Sequence, residues 1–416
     1  MRSILTSAPL IRRTMLLLLL AYTGFIALGL ANSLMGVAWP SVRATFRMPI
    51  DALGIVLIGN TAGYMMASAS SGRLIARLHI GGVLAVSCCV AAGSLLGLGG
   101  APFWAVLVAL SFTSGLGCGA IDTGLNAYAA HHFSPRAMNW LHASFGIGAT
   151  IGPAIMTGVL ASGWGWRPGF WIVGIIHLAL AACFGLTRHR WDSTSPPSPV
   201  SRQPARSAPL AATLRLPIAW LGITLFVVYT GIEITTGQWV YSLLTEARGV
   251  PATLAGIWVS LYWASLTIGR ILFGFAVQRM APTTLLRWCM AGAVLGALLI
   301  WSNLAPWLTF GSIALMGLAL APQFPLLISA TPSYLGPKHA TNGVGFQVAA
   351  ASLGGALMPG LVGVLARTRG LEVLGPFLFV AMLIMTALFE LLAPHMAAGK
   401  RFDTASIPVD HDSSVF

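Results

Sequence analysis

The chain has 416 residues, enough for two or three soluble domains, but only 8% are charged, 56% are apolar and the mean hydropathy is +0.82. A soluble surface needs roughly a quarter charged residues, whereas hydrocarbon penalises a charge by about 2.5–3.5 kcal/mol at a helix centre, so the main solvent of this chain is lipid. The formal net charge of +13 does not mark a nucleic-acid binder, because the 21 Arg and 2 Lys are scattered between apolar segments and do not cluster with aromatics on a polar face.

A membrane-spanning helix takes about 20 apolar residues. With breaks at Pro, Gly and charge, such spans run over 15–40, 51–75, 81–100, 102–129, 137–161 and 168–187, then 217–245, 252–278, 283–302, 304–331, 338–366 and 371–393. They are numbered 1 to 12 below. Span 1 is longer than the apolar core of a signal peptide, lacks a clear A-x-A site and is followed at once by further spans, so it is expected to remain as a helix. The expected fold is an all-α membrane protein of twelve transmembrane helices, with one six-helix half over 1–187 and a second over 216–393. Between them, the linker 188–215 holds five prolines, five serines and five arginines, a composition that cannot bury apolar surface; it and the tail 394–416 are expected to be flexible.

An even number of spans puts both termini on one side, whose loops and ends carry 17 basic residues against six on the other. Both termini and the linker are therefore expected in the cytoplasm of a multi-pass cell-membrane protein, the inner membrane in a bacterium. The five cysteines fall within apolar stretches without CxxC or metal-ligand spacing and read as small buried hydrophobes. The halves also repeat. Gly72 and Arg77 recur as Gly274 and Arg279, and Pro135-Arg136 with Asn139 recurs as Pro337-Lys338 with Asn342, offset by 202 to 203 residues. Repeated halves of this kind hold a solute at the midplane between them.

Eight of the ten acidic residues lie where water reaches: Asp51, read as the N-cap of span 2, and Asp192, Glu246, Glu372, Glu390, Asp403, Asp410 and Asp412 in loops, at helix ends or in the tail. Asp122 in span 4 and Glu233 in span 7 do not. Two unused buried acids would cost about 5–7 kcal/mol together, so a function is expected of them; the competing reading is a carboxylate paired with Arg, or hydrogen-bonded, only to hold helices together.

Asn126 follows Asp122 by one turn on the same face, where the two could share a ligand or a proton. Gly115, Gly117 and Gly119 beside them read as a close-packing groove. In span 5, Asn139 and His142 share a face, with a satisfied interhelical hydrogen bond as the alternative role for the histidine. In span 7, Tyr229, Glu233 and Thr236 share a face and are followed by Gln238, Trp239 and Tyr241. Amide groups beside aromatic rings suit polyhydroxylated solutes, although Trp and Tyr near helix ends also form the interface belt. Asn32, Asn60 with Tyr64, Tyr262, Trp263, Gln323, Asn342 and Gln347 are further candidates for a cavity wall or for packing, and Arg270 is expected near the cytoplasmic boundary, locking helices together.

The whole chain resembles the major facilitator superfamily. Asp122-Thr123-Gly124-Leu125-Asn126 followed by Leu141-His142-Ala143-Ser144-Phe145-Gly146 is similar to its branch of fucose, galactose and glucose proton symporters and sodium-dependent glucose transporter relatives. Tyr229-x-Gly231-x-Glu233-x3-Gly237-x-Trp239, and Tyr262-Trp263 ahead of Gly269-Arg270, agree with it. The resemblance implies the major facilitator fold and passes to Asp122 the proton-carrying role of the helix 4 acid in the fucose symporters. Those symporters also use a helix 1 aspartate, where span 1 offers only Asn32. The superfamily loop signature G-x3-D-R-x-G keeps Gly72 and Arg77 but has Ala76 at the aspartate and His79 at the second glycine, and Gln278 replaces the aspartate in the second copy.

The expected function is secondary active transport: proton-coupled symport of a small polar solute such as a sugar, with sodium as the alternative coupling ion. The competing readings are an efflux carrier for amphipathic or cationic compounds and a transporter-like receptor. No nucleophile with a base, zinc-ligand spacing or phosphate loop is present, so neither an enzyme nor a metal or cofactor is expected. The expected partners are the solute, the coupling ion and the lipid bilayer, without nucleic acid, for a monomer.

Overall fold

The structure, a computed structural model, describes residues 7–191, 208–276 and 279–405. The middle of the linker (192–207), Gln278 and the tail beyond 405 lie outside the described residues. Five helices form the first half: α1 Ser7–Phe46, α2 Leu53–Gly100, α3 Trp104–His132, α4 Pro135–Ala161 and α5 Arg167–Trp191. A short α6, Leu210–Leu214, precedes the second half of α7 Pro217–Ser242, α8 Ala252–Ala276, α9 Pro282–Ser302, α10 Pro306–Leu320, α11 Gln323–Leu335, α12 Pro337–Arg369 and α13 Leu374–Ala405.

Among the described residues, eleven helical stretches are long and apolar enough to cross a membrane. One of them, Ile50–Gly100, has 51 residues. As a straight helix it would measure about 77 Å, against a hydrocarbon core of about 30 Å. It crosses twice. At His79 the backbone leaves helical geometry (φ 58°, ψ 165°), and both arms then lie against α3, with Gly115 on the backbone of Asn60 and Gly117 on that of Ala91. Spans 2 and 3 are therefore the arms of α2, and the described residues make twelve crossings. The His79 conformation is one that glycine adopts freely and other residues avoid, and the loop signature has glycine at this place.

Four local expectations change. Span 10 is two helices, because α10 stops at Leu320 and α11 begins at Gln323, around a proline that has no N–H to continue the ladder. The ends of the linker are built: α5 continues to the buried Trp191, and at the other end Ala208 N–H donates to the Lys338 carbonyl at 3.0 Å. Asp51 caps no helix; it lies in a 3-10 turn, Ile50–Ala52, and accepts from Arg367 at 3.2 Å. Of the cysteines, Cys88, Cys118 and Cys289 are buried as expected, but Cys89 and Cys183 face outward.

Glycine governs the approach of helices within each half, as it does where no hydrophobic force separates helix from lipid. Gly148 of α4 sits on the backbone of Ile26 in α1, and Gly354 of α12 sits on that of Val227 in α7. The same pairing thus occurs once per half. The halves meet closely at the end opposite the termini, the far end. There a Cβ on Gly54 of α2 would stand 2.9 Å from the Gly360 Cα of α12, and one on Gly36 of α1 would stand 2.7 Å from the Gly237 carbonyl of α7.

Candidate functional site

Between the halves lies a cavity of about 300 Å³. Its wall takes Asn32, Asn60, Tyr64 and Asp122 from the first half and Thr230, Glu233, Gln238 and Trp263 from the second. The two intramembrane acids expected from the sequence thus face one space. Asp122 is set by the glycine groove: Gly119 lets α3 lie on the backbone of Tyr64, with the would-be Cβ 2.6 Å from the Tyr64 carbonyl. At that separation the Tyr64 hydroxyl donates to Asp122 Oδ2 at 2.6 Å, and Asn126, one turn on, donates to Oδ1 at 3.1 Å. Each carboxylate oxygen therefore receives one neutral donor.

Glu233 differs in having a cation. Arg270 of α8 lies 3.5 Å from Glu233 Oε1. The Tyr229 hydroxyl donates to Oε2, and the same hydroxyl stands 3.2 Å from the Leu320 carbonyl freed at the α10–α11 break. Tyr262 donates to the Glu233 backbone carbonyl at 2.8 Å. Arg270, expected to lock helices together, ties α8 to α7 by reaching along its stem to an acid of the cavity. Burial of an acid beside a cation and a phenol is far less costly than burial alone.

The far end of the cavity is closed by contacts between halves. Arg43 of α1 pairs with Glu246 at 2.5 Å and Arg367 of α12 with Asp51 at 3.2 Å, while Gln238 Nε2 lies 3.5 Å from the Asn32 carbonyl at the roof.

The model of the Major Facilitator Superfamily matches residues 21–241 and 221–408. The chain belongs to the major facilitator superfamily. It is similar to Bypass of stop codon protein 6 of Saccharomyces cerevisiae (25% identical, 88% of this chain and 79% of that protein) and to the glucose/mannose transporter GlcP of Bacillus subtilis (24%, 83% and 86%). It is also similar to the sodium-dependent glucose transporter 1A of Mus musculus (23%, 83% and 88%). Among solved structures, a D-xylose-proton symporter superposes with a TM-score of 0.71 over 89% of this chain and 97% of that one, at 13% identity. That likeness concerns the fold. This member of the superfamily is a transporter and not an enzyme.

Of the transporter's sequence candidates, the cavity wall brings together Asp122, Asn32, Asn60, Tyr64, Glu233, Gln238 and Trp263, with Asn126 held behind Asp122. Others lie off the wall. Trp239 is fully buried and donates to the Pro359 carbonyl at 2.9 Å, tying α7 to α12. Adjacent helical residues point about 100° apart, so a wall position for Gln238 turns Trp239 away, and Tyr262 is turned to α7 by the same rotation that presents Trp263. Asn342 donates to the Ala208 carbonyl at 2.8 Å and holds α6, while Gln347 donates to Tyr334 and accepts from Thr331 at 2.8 Å, joining α12 to α11. Asn139 is exposed at the start of α4; His142 makes an edge contact with Phe25, ring centroids 5.5 Å apart. Thr230, outside the residues expected from the sequence, also lines the cavity, and its helical spacing from Ile234 and Gln238 is the sequence signal for that position.

Proposed function

We propose that this transporter couples the movement of a small polar solute such as a monosaccharide to protons, with Asp122 as the proton site and Glu233, Gln238 and Trp263 on the solute-binding wall. The observation that carries the reading is the contrast between the two acids. Glu233 has Arg270 within 3.5 Å, whereas Asp122 has, among the described residues, only the neutral donors Tyr64 and Asn126, so a proton is the natural partner for its charge during transit. The Tyr64 hydroxyl, which donates to the carboxylate, can turn to accept from the protonated acid, whereas a hard cation would need several oxygen acceptors around Asp122.

Size supports a small solute, since 300 Å³ is at the lower bound of ligand pockets, about 300–1,000 Å³. The glucose/mannose transporter among the relatives points to hexoses. With cytoplasmic termini the far end is the outer end, and the cavity is closed to the outside. At 100 mV each entering proton supplies about 2.3 kcal/mol, enough to concentrate a solute about 50-fold. The test is uptake of labelled hexoses into proteoliposomes under an imposed pH gradient. Asp122→Asn should retain exchange and lose accumulation; full accumulation by that variant would refute the proton assignment.

A further inference from the structure

Three buried polar atoms of cavity-wall residues have no hydrogen-bond partner among the described residues: Thr230 Oγ1, a hydroxyl that can itself donate or accept, Gln238 Oε1, in a residue 4% exposed, and Trp263 Nε1, in one 5% exposed. The Trp263 indole is placed next to the Gln238 backbone for a steric reason. Gly237 has no side chain, and the Trp263 ring occupies that space, with Cζ2 2.5 Å and Nε1 3.3 Å from where a Cβ would stand. The indole nitrogen is thus brought against the residue preceding Gln238. The amide of Gln238 is oriented by its other end, because Nε2 lies 3.5 Å from the Asn32 carbonyl. Its oxygen is left as the free acceptor.

An indole donor and an amide acceptor left unmet on one wall, with the Thr230 hydroxyl, select the chemistry of what meets them. A carboxylate only accepts, so it would satisfy the indole and set its charge against Gln238 Oε1; an ammonium only donates, so it would leave the indole N–H unmet. A hydroxyl both donates and accepts. We infer that Gln238 and Trp263 form a hydroxyl-recognition subsite, in which Trp263 N–H donates to the solute and Gln238 Oε1 accepts from it, selecting neutral polyhydroxylated solutes over acids and amines. This rests on the solute reading above and names the groups of the solute that this wall reads.

The test is counterflow of D-glucose and its series of monodeoxy analogues in proteoliposomes, for the wild type, Trp263→Phe and Gln238→Met. Trp263→Phe keeps the ring and removes the N–H; Gln238→Met keeps the length and removes the acceptor. Each should raise the half-saturating concentration of D-glucose about 10-fold, the loss expected for one hydrogen bond left unmade. For the analogue lacking the hydroxyl in question, wild type and variant should agree. A variant that shifts D-glucose and every analogue by the same factor would overturn the subsite, as would one that shifts none, and either result would leave the transport reading intact. A wild type that carries none of the hydroxylated probes would overturn both.

Discussion

Glu246→Arg would set a second cation against Arg43 at the far end, where the native pair stands 2.5 Å apart with side chains 29% and 25% exposed. A second pair, Asp51 with Arg367 at 3.2 Å, crosses between the halves in the opposite sense, acid on the first half and base on the second. Water screens such partly exposed pairs, so each contributes about 0.2–1 kcal/mol. Replacing attraction by a similar repulsion gives a swing of about 0.4–2 kcal/mol, or a factor of about 2–30 in the equilibrium between closed and open far ends. The assay is pulsed electron-spin resonance between labels on the far ends of α1 and α7 in a cysteine-free background. The long-distance population should rise in Glu246→Arg and return in the swapped pair Arg43→Glu with Glu246→Arg. In 1 M salt, where the screening length is about 3 Å, wild type and variant should converge. An unchanged distance distribution in the single reversal would refute the idea that these ion pairs hold the far end shut.

At His79, replacement by glycine should relieve a backbone conformation costing about 1–3 kcal/mol and raise the melting temperature in detergent; an unchanged or lower melting temperature would show that the turn is not strained. Glu233→Gln and Arg270→Gln should each destabilise the protein by about 1.5–3 kcal/mol, the range for hydrogen bonds to charged groups. The double variant should lose less than their sum, and simple additivity in thermal unfolding would mean the 3.5 Å pair is uncoupled. A reporter active only outside the cytoplasm, fused after Ser201, should stay silent, and activity there would reverse the assignment of sides.

The membrane class, the crossings and the two cavity acids are legible in the residues because the lipid penalty acts residue by residue, whatever the neighbours. Asp122 and Glu233 stand out among apolar residues in any packing of the helices, and the Gly115–Gly119 stretch announces close approach because only small side chains permit it. Tertiary structure decides how each helix is rotated. Gln238 and Trp239 are adjacent, as are Tyr262 and Trp263, and one member of each pair faces the cavity while the other ties helices together. Their amphipathic side chains suit a wall, an interface belt or a packing contact equally well, so composition does not separate the roles. The rotation is set by contacts between distant segments, such as Gly237 beneath Trp263 and Gly119 against Tyr64, and the same contacts bring Tyr64 to Asp122 and Arg270 to Glu233. Hydropathy depends on a residue and its immediate neighbours, whereas a partner depends on which faces of two helices meet.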